Sequence, residues 1–244
     1  MTKLVWEEHD SVPLLRFEGT ETLNAFSLDT YEALSEALRH FSAHPRWKAL
    51  ILTGGGRAFC SGQDLGEVRD TADLPNAAMQ RHVDSLQSIT RQMLDIPKLL
   101  IAAVNGPAVG FGAEVTLGCD VRFASPEGYF MFPELAAGLY FTNATLELLP
   151  ALVGHAKACE LLLGGRKWPA SDAMAAGFVS QITPGAELVA AARAFAVQAV
   201  ASPGPGSSLT LSFLRRRRRA AVEAALAFET ETFLANRIAG RSLP

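Results

Sequence analysis

Long hydrophobic runs are missing from the 244-residue sequence. No apolar stretch approaches the ~18 residues needed to cross a bilayer, and the opening MTKLVWEEHD is acidic where a secretory leader is basic and then apolar. A soluble, cytoplasmic protein with no membrane partner is expected. Cysteine is scarce: Cys60, Cys119 and Cys159 are odd in number and far apart, with no C-x-x-C, which excludes a disulfide scaffold and fits a reducing compartment. The five histidines include no H-E-x-x-H; His40 and His44 share a helical face but read as a solvated helix end, so no metal is expected. A surplus of either charge is also lacking. The formal net charge of −3 gives no field to steer nucleic acid, and no nucleic-acid partner is expected. What is present is apolar residue content of 49% against 19% charged, with 20 Gly and 13 Pro, which excludes disordered and collagenous classes and implies a large core.

The pattern along the chain is that of an α/β protein. Lys3 to His9 and Leu14 to Glu18 read as strands joined through Asp10 to Pro13. Ser27 can cap a helix reaching about His44, with Tyr31, Leu34, Leu38 and Phe41 on one stripe. Ala49 to Thr53 reads as a short apolar strand of the kind buried on both faces, Lys98 to Val104 repeats that signature, and each runs into a glycine-rich turn. Between them, residues 66–76 read as a polar loop and Ala77 to Leu94 as a helix. Val121 to Ala124 forms a third short strand. Beyond Pro150 the pattern is helical: Ala156 to Leu163, Ala170 to Ala176, Ala186 to Val200 and one helix from Ser207 to Asn236. The expected division is a core over residues 1–190 and a helical region over 191–244. Strands ending in glycine turns usually bind ligands beyond their carboxyl ends.

Nucleotide readings of those glycines fail on detail. Gly54 to Phe59 (GGGRAF) lacks the G-K-[ST] of a phosphate loop, and Gly110 to Val115 (GFGAEV) lacks the third glycine of a dinucleotide fingerprint. Phe59 to Gly62 (FCSG) is not a nucleophile elbow, and Cys60 reads as a small buried residue. The glycines can instead present backbone N–H groups. A helix starting near Gly110 leaves its first amides unpaired with the positive dipole end behind them, a receptor for a developing oxyanion, and Glu114 one turn in would hang a carboxyl beside those donors.

These residues carry a resemblance. Thr53 to Glu67 (TGGGRAFCSGQDLGE) and Ala103 to Ser125 (AVNGPAVGFGAEVTLGCDVRFAS) are similar to the paired signatures of the enoyl-CoA hydratase/isomerase, or crotonase, superfamily. The likeness extends to Leu23 to Phe26, Phe132 to Glu134, Leu149 to Gly154 and Ala170 to Val179. It implies a crotonase-like spiral of ββα units with a helical C-terminal trimerisation region, assembled as homotrimers or hexamers, and an acyl-CoA thioester substrate. Coenzyme A would enter as part of that substrate, with no separate cofactor. The resemblance puts the oxyanion hole on the amides of Gln63 and Phe111, and coenzyme A contacts on Ala25, Phe26, Ala58, Gln63, Asp64, Leu65 and Gly66. Phe111 departs from the glycine common in hydratases and is expected to narrow the acyl pocket.

Hydratase members use two glutamates, matched here by Glu114 and Glu134; the isomerase carboxylate position falls on Thr142. The implied activity is therefore hydration of a 2-enoyl-CoA. A double-bond isomerase, another crotonase-type lyase or hydrolase, and a non-catalytic acyl-CoA or RNA-binding protein are the alternatives. Arg215 to Arg219 is expected to form mostly a solvated helix face, with one or two arginines meeting a coenzyme A phosphate.

Overall fold

A computed structural model describes residues 1–71, 74–202 and 204–239, apart from the side chains of Asp70 and residues 236–239. The chain opens with strands β1 (Lys3–Glu7) and β2 (Leu14–Glu18), then helix α1 (Leu28–Ala43) and strand β3 (Ala49–Gly54). Helices α2 (Leu65–Thr71) and α3 (Asn76–Asp95) precede β4 (Leu99–Val104), β5 (Pro107–Val109) and α4 (Phe111–Leu117). Strands β6 (Val121–Ala124) and β7 (Tyr129–Met131) lead to α5 (Thr145–Val153) and α6 (His155–Gly164). The remainder comprises β8 (Trp168–Pro169), α7 (Ala170–Ala175), β9 (Gln181–Ile182), α8 (Gly185–Ala199), α9 (Gly206–Arg216) and α10 (Arg219–Ala239).

The main sheet has the order β1-β2-β3-β4-β6-β9, with β1 and β2 antiparallel and the other pairs parallel. A small sheet, β5-β7-β8, stands beside it. Alternation explains why β3 and β4 are apolar throughout. Leu50, Leu52, Leu100, Ala102 and Val104 face the α1 and α3 side, where they meet Leu34, Phe41, Leu86 and Ile89. Ala49, Ile51, Leu99, Ile101 and Ala103 face α8 through Leu188, Ala192 and Ala196. A strand covered on both faces has no polar side to show. Ser27 caps α1 as its sequence suggests, its Oγ accepting the Thr30 N–H at 3.3 Å. Among the described residues no helix is long and apolar enough to cross a membrane.

Three sequence expectations need correction or refinement. Residues 66–76 were expected as a loop, but their first part belongs to α2: the Asp64 carboxylate accepts the Gly66 and Glu67 N–H groups at 2.8 and 3.3 Å and so caps a helix of polar residues. Residues 72 and 73 of that loop lie outside the described residues. The single helix from Ser207 to Asn236 is two, broken at Arg217 and Arg218. The expected division between residues 190 and 191 falls inside α8, which packs on β3, β4 and β6.

The arginine run straddles that break, and Arg215 is not a solvated residue. It is 7% exposed, pairs with Asp120 at 2.5 Å and donates to the carbonyls of Ile96 and Lys98. Asp120 in turn accepts the Leu100 N–H at 2.8 Å. Arg215 therefore ties α9 to the amino-terminal end of β4, opposite the carboxyl end where the glycine turns begin, and it has no spare donor set for a phosphate. Arg219 pairs with Asp95 and Glu223.

Candidate active site

The site is built where β3 and β4 run into their turns. Asn24 is fully buried; its amide donates to the carbonyls of Gly55 and Ala58, and its Oδ1 accepts the Gly19 N–H. It thereby holds the turn after β3 against the start of the α1 segment. Two short parallel bridges continue from there, Cys60 to Ala108 and Phe26 to Gln63. In the second, Phe26 donates to the Gly62 carbonyl at 2.8 Å and accepts the Asp64 N–H at 2.9 Å. A parallel bridge of this pattern turns the intervening residue, Gln63, so that its own N–H faces away from Phe26. Phe111 opens α4, so its N–H has no carbonyl one turn behind it. Neither amide has a protein acceptor among the described residues.

Glycine is required at both turns. Gly62 has φ +102° and Gly110 has φ +54° with ψ −125°, backbone conformations that L side chains avoid. An ideal Cβ on Gly110 would stand 3.3 Å from Glu134 Oε1 and 3.8 Å from Gly62 Cα. The two turns and the Glu134 carboxyl are thus packed against one another, with Gln63 and Phe111 directly following.

All of these border one cavity of about 600 Å³, lined by Gly62, Gln63, Gly110, Phe111, Glu114 and Glu134. Its remaining wall is largely apolar and includes Leu65, Met79, Leu86, Leu139 and Phe233. The Phe111 ring packs on Phe26 and Tyr31 with centroids 5.1 and 4.4 Å away, so it forms a wall of the cavity continuous with the core.

The two glutamates are both buried, at 5% and 8% exposure, yet their surroundings differ. Glu114 Oε2 accepts from Asn143 Nδ2 at 2.6 Å and its Oε1 accepts from the Thr145 hydroxyl at 2.6 Å; the backbone of Thr142 adds a further bond. Burial raises its pKa above the ordinary carboxyl value, while these donors pull it back toward the anion. Glu134, on the turn after Pro133, has an Oε2 that is buried without a partner among the described residues. Its pKa is raised well above the ordinary value, first by burial and then by the charge of Glu114. One carboxyl is thus held as an acceptor of protein hydrogen bonds, while burial and the neighbouring charge favour the protonated form of the other, a division of labour suited to acid–base work.

Of the residues expected in the site, Gln63, Leu65, Phe111, Glu114 and Glu134 line the cavity, whereas Ala25, Phe26, Ala58, Asp64 and Gly66 do not. Phe26 is committed to the bridge with Gln63, the Ala58 carbonyl accepts from Asn24 and Asn105, and Asp64 caps α2. Thr142 lines the cavity. Cys60 is fully buried, with its thiol pushed up to about 12 by burial, so it is no nucleophile. Among the described residues no group of three or more His, Cys, Asp or Glu side chains is placed to hold a metal ion.

Sequence reasoning missed four contributors. Asn143 and Thr145 hold Glu114; the cluster of hydrogen-bonding side chains at Thr142, Asn143 and Thr145 was the signal. His82, on α3, lies in the cavity wall with its Nε2 3.3 Å from Gln63 Nε2, and burial lowers its pKa, favouring the neutral ring. A third buried carboxyl, Glu229 of α10, accepts the N–H groups of Ala144 and Leu146 at 2.7 and 3.0 Å. Its pKa is raised to about 8, burial being the largest cause.

Residues 7–237 match the family described as Enoyl-CoA hydratase/isomerase. The "Probable enoyl-CoA hydratase echA6" of Mycobacterium leprae (strain TN) is 33% identical over 176 residues, covering 71% of this chain and 68% of that protein. The peroxisomal "Delta(3,5)-Delta(2,4)-dienoyl-CoA isomerase" of Arabidopsis thaliana is 31% identical over 169 residues, covering 66% and 61%. The crystal structure of an enoyl-CoA hydratase/isomerase from Pseudoalteromonas atlantica T6c superposes with a TM-score of 0.86 at 29% identity, covering 98% of this chain and 92% of that one. A family match over residues 7–237, a relative 33% identical and a superposition at TM-score 0.86 together show that the chain belongs to the enoyl-CoA hydratase/isomerase family and has its crotonase fold.

Proposed function

We propose that the protein is an enoyl-CoA hydratase that adds water across the double bond of a 2-enoyl-CoA thioester. The observation that carries this reading is the contrast between two buried carboxyls on one cavity: Glu114 with its oxygens bonded by Asn143 and Thr145, and Glu134 with an unpartnered oxygen and a raised pKa. The thioester carbonyl sits between the Gln63 and Phe111 amides, which stabilise the enolate oxygen as charge develops there. Glu114 orients a water and takes its proton as the oxygen bonds to C3, and Glu134 gives its proton to C2. The net change is one water added; the carboxyls exchange protonation states and reset by passing the proton back. The step needs nothing beyond the coenzyme A already in the substrate.

An isomerase instead moves one proton between two carbons, and the resemblance puts the isomerase carboxylate where this chain has Thr142, which favours hydration. Exposed Leu209, Phe213 and Leu214 on α9 and Phe228 on α10 support assembly as a homotrimer or a hexamer, which sedimentation equilibrium would measure. The activity is tested by incubating the protein with trans-2-enoyl-CoA thioesters of graded chain length and following loss of the conjugated enoyl absorbance and gain of one water by mass. Glu114→Gln and Glu134→Gln are each expected to lower kcat by about 10² or more with thioester binding nearly unchanged. Full activity in both variants would sink the assignment.

A further inference from the structure

Glu114 is held by a loop, and the loop is held by something else. Its donors, Asn143 and Thr145, flank Ala144, which has φ +59° and ψ +27° without being glycine. An alanine in that left-handed well costs roughly 1 kcal/mol or more and stays there only when the surroundings fix it. Ala144 is also the N-cap of α5, and its methyl side chain cannot bond the helix's first N–H groups. Both deficits are met from one place. The Glu229 carboxyl, fully buried on α10 and 83 residues from Leu146, accepts the Ala144 N–H at 2.7 Å and the Leu146 N–H at 3.0 Å. Around it α10 is fastened to α3, where Gln87 Nε2 donates to the Leu226 carbonyl at 2.9 Å and to Thr230 Oγ1 at 2.7 Å, and Arg91 pairs with Glu223 at 3.0 Å.

We propose that Glu229 is a positioning residue for the reaction: by capping α5 in place of Ala144 it fixes the Asn143 and Thr145 donors on Glu114, so that the C-terminal helix sets the geometry of the water-activating carboxyl. The chemical consequence rests on the hydratase reading; the structural clamp does not. If α10 merely added packing, its effect would be spread over the fold. A clamp instead acts through Glu114 and is felt first at residues 143–146.

Two measurements on the full-length protein separate these cases, using Glu229→Gln, which keeps the volume and one acceptor, alongside Glu229→Ala. Hydrogen exchange at the Ala144 and Leu146 amides is expected to speed up at least tenfold in both variants, but not in Glu223→Gln on the same helix. With a trans-2-enoyl-CoA that the wild type turns over, Glu229→Gln is expected to lower kcat about 10- to 50-fold with KM within about twofold, and to add less than twofold in a Glu114→Gln background. Unchanged exchange at residues 144–146 overturns the clamp, and an equal rate loss in both backgrounds overturns its action through Glu114. A wild-type rate for Glu114→Gln alone would instead refute the hydratase chemistry, while the exchange result would still decide the clamp.

Discussion

The joint between the two turns gives the sharpest test of the site, through Gly110→Ala. At φ +54° and ψ −125° an alanine is strained by roughly 1–3 kcal/mol, and its methyl would stand 3.3 Å from Glu134 Oε1 and 3.8 Å from Gly62 Cα. Relief requires the backbone at residue 110 to rotate, which re-aims the Phe111 N–H, or the Glu134 carboxyl to retreat by a few tenths of an ångström. Loss of one oxyanion donor costs about 10² to 10³ in kcat, so a combined fall of at least 10² is expected with a stability loss of about 2 kcal/mol. Gly154→Ala supplies the control: Gly154, between α5 and α6, has φ +81° and ψ +158°, and a Cβ there meets nothing within 4 Å. It carries comparable backbone strain without touching the cavity, and should lose stability but keep kcat within about threefold. Urea denaturation and steady-state kinetics on a trans-2-enoyl-CoA measure both quantities. Equal kcat in the two variants would mean that the orientation of the Phe111 amide and Glu134 does not matter to the rate, and the oxyanion argument would fall.

Gln63→Ala should alter turnover little, whereas Gln63→Pro removes the N–H and should cost about 10² to 10³ in rate; equal losses would assign the role to the side chain beside His82. The pH profile of kcat/KM should fall on the alkaline side as Glu134, whose pKa is raised, loses the proton it donates, and on the acid side as Glu114, also raised, gains one. Both limbs should therefore lie above the ordinary carboxyl range, and Glu134→Gln should abolish the alkaline limb along with most of the rate; a profile flat from acid to alkaline would contradict the division of roles. Arg215→Ala leaves the half-buried Asp120 without its ion-pair partner and the Ile96 and Lys98 carbonyls without a donor, and should cost about 2 kcal/mol in denaturant unfolding. KM for the thioester should stay unchanged, and a KM rise that weakens with salt would restore the phosphate role.

How much of this was legible in the sequence depended on whether the signal was local. The apolar runs of β3 and β4 identify strands buried on both sides, because nothing but burial tolerates such runs, and Ser27 announced α1 because a cap and its helix are contiguous. Short elements were not legible. β8 and β9 have two residues each, too few for a period, and exist only because β7 and β6 offer unpaired edges. The α2 segment reads as a loop because its helix is short and mostly polar and is started by the side chain of Asp64. The arginine run concealed a helix break because composition does not show where one guanidinium finds a half-buried carboxylate.

The site divides in the same way. Glu114 and the amide of Phe111 lie within four residues on one helix start, so elementary helix geometry brings them together before any tertiary structure is known. Glu134 stands twenty residues further on, and only the resemblance singled it out from a surface turn; its burial and its unpartnered oxygen are tertiary facts. Glu229 lies 115 residues from Glu114, in a helix whose pattern gives a glutamate no distinction from its exposed neighbour Glu231. What distinguishes it is the deficit at the other end of the contact, an uncapped α5 beginning at a left-handed alanine. A buried carboxyl with no local reason to be buried is explained by a distant backbone that lacks acceptors, and the sequence could not mark that backbone, because α3, α4 and α6 also start without a capping side chain and the left-handed turn at Ala144 is itself a tertiary fact.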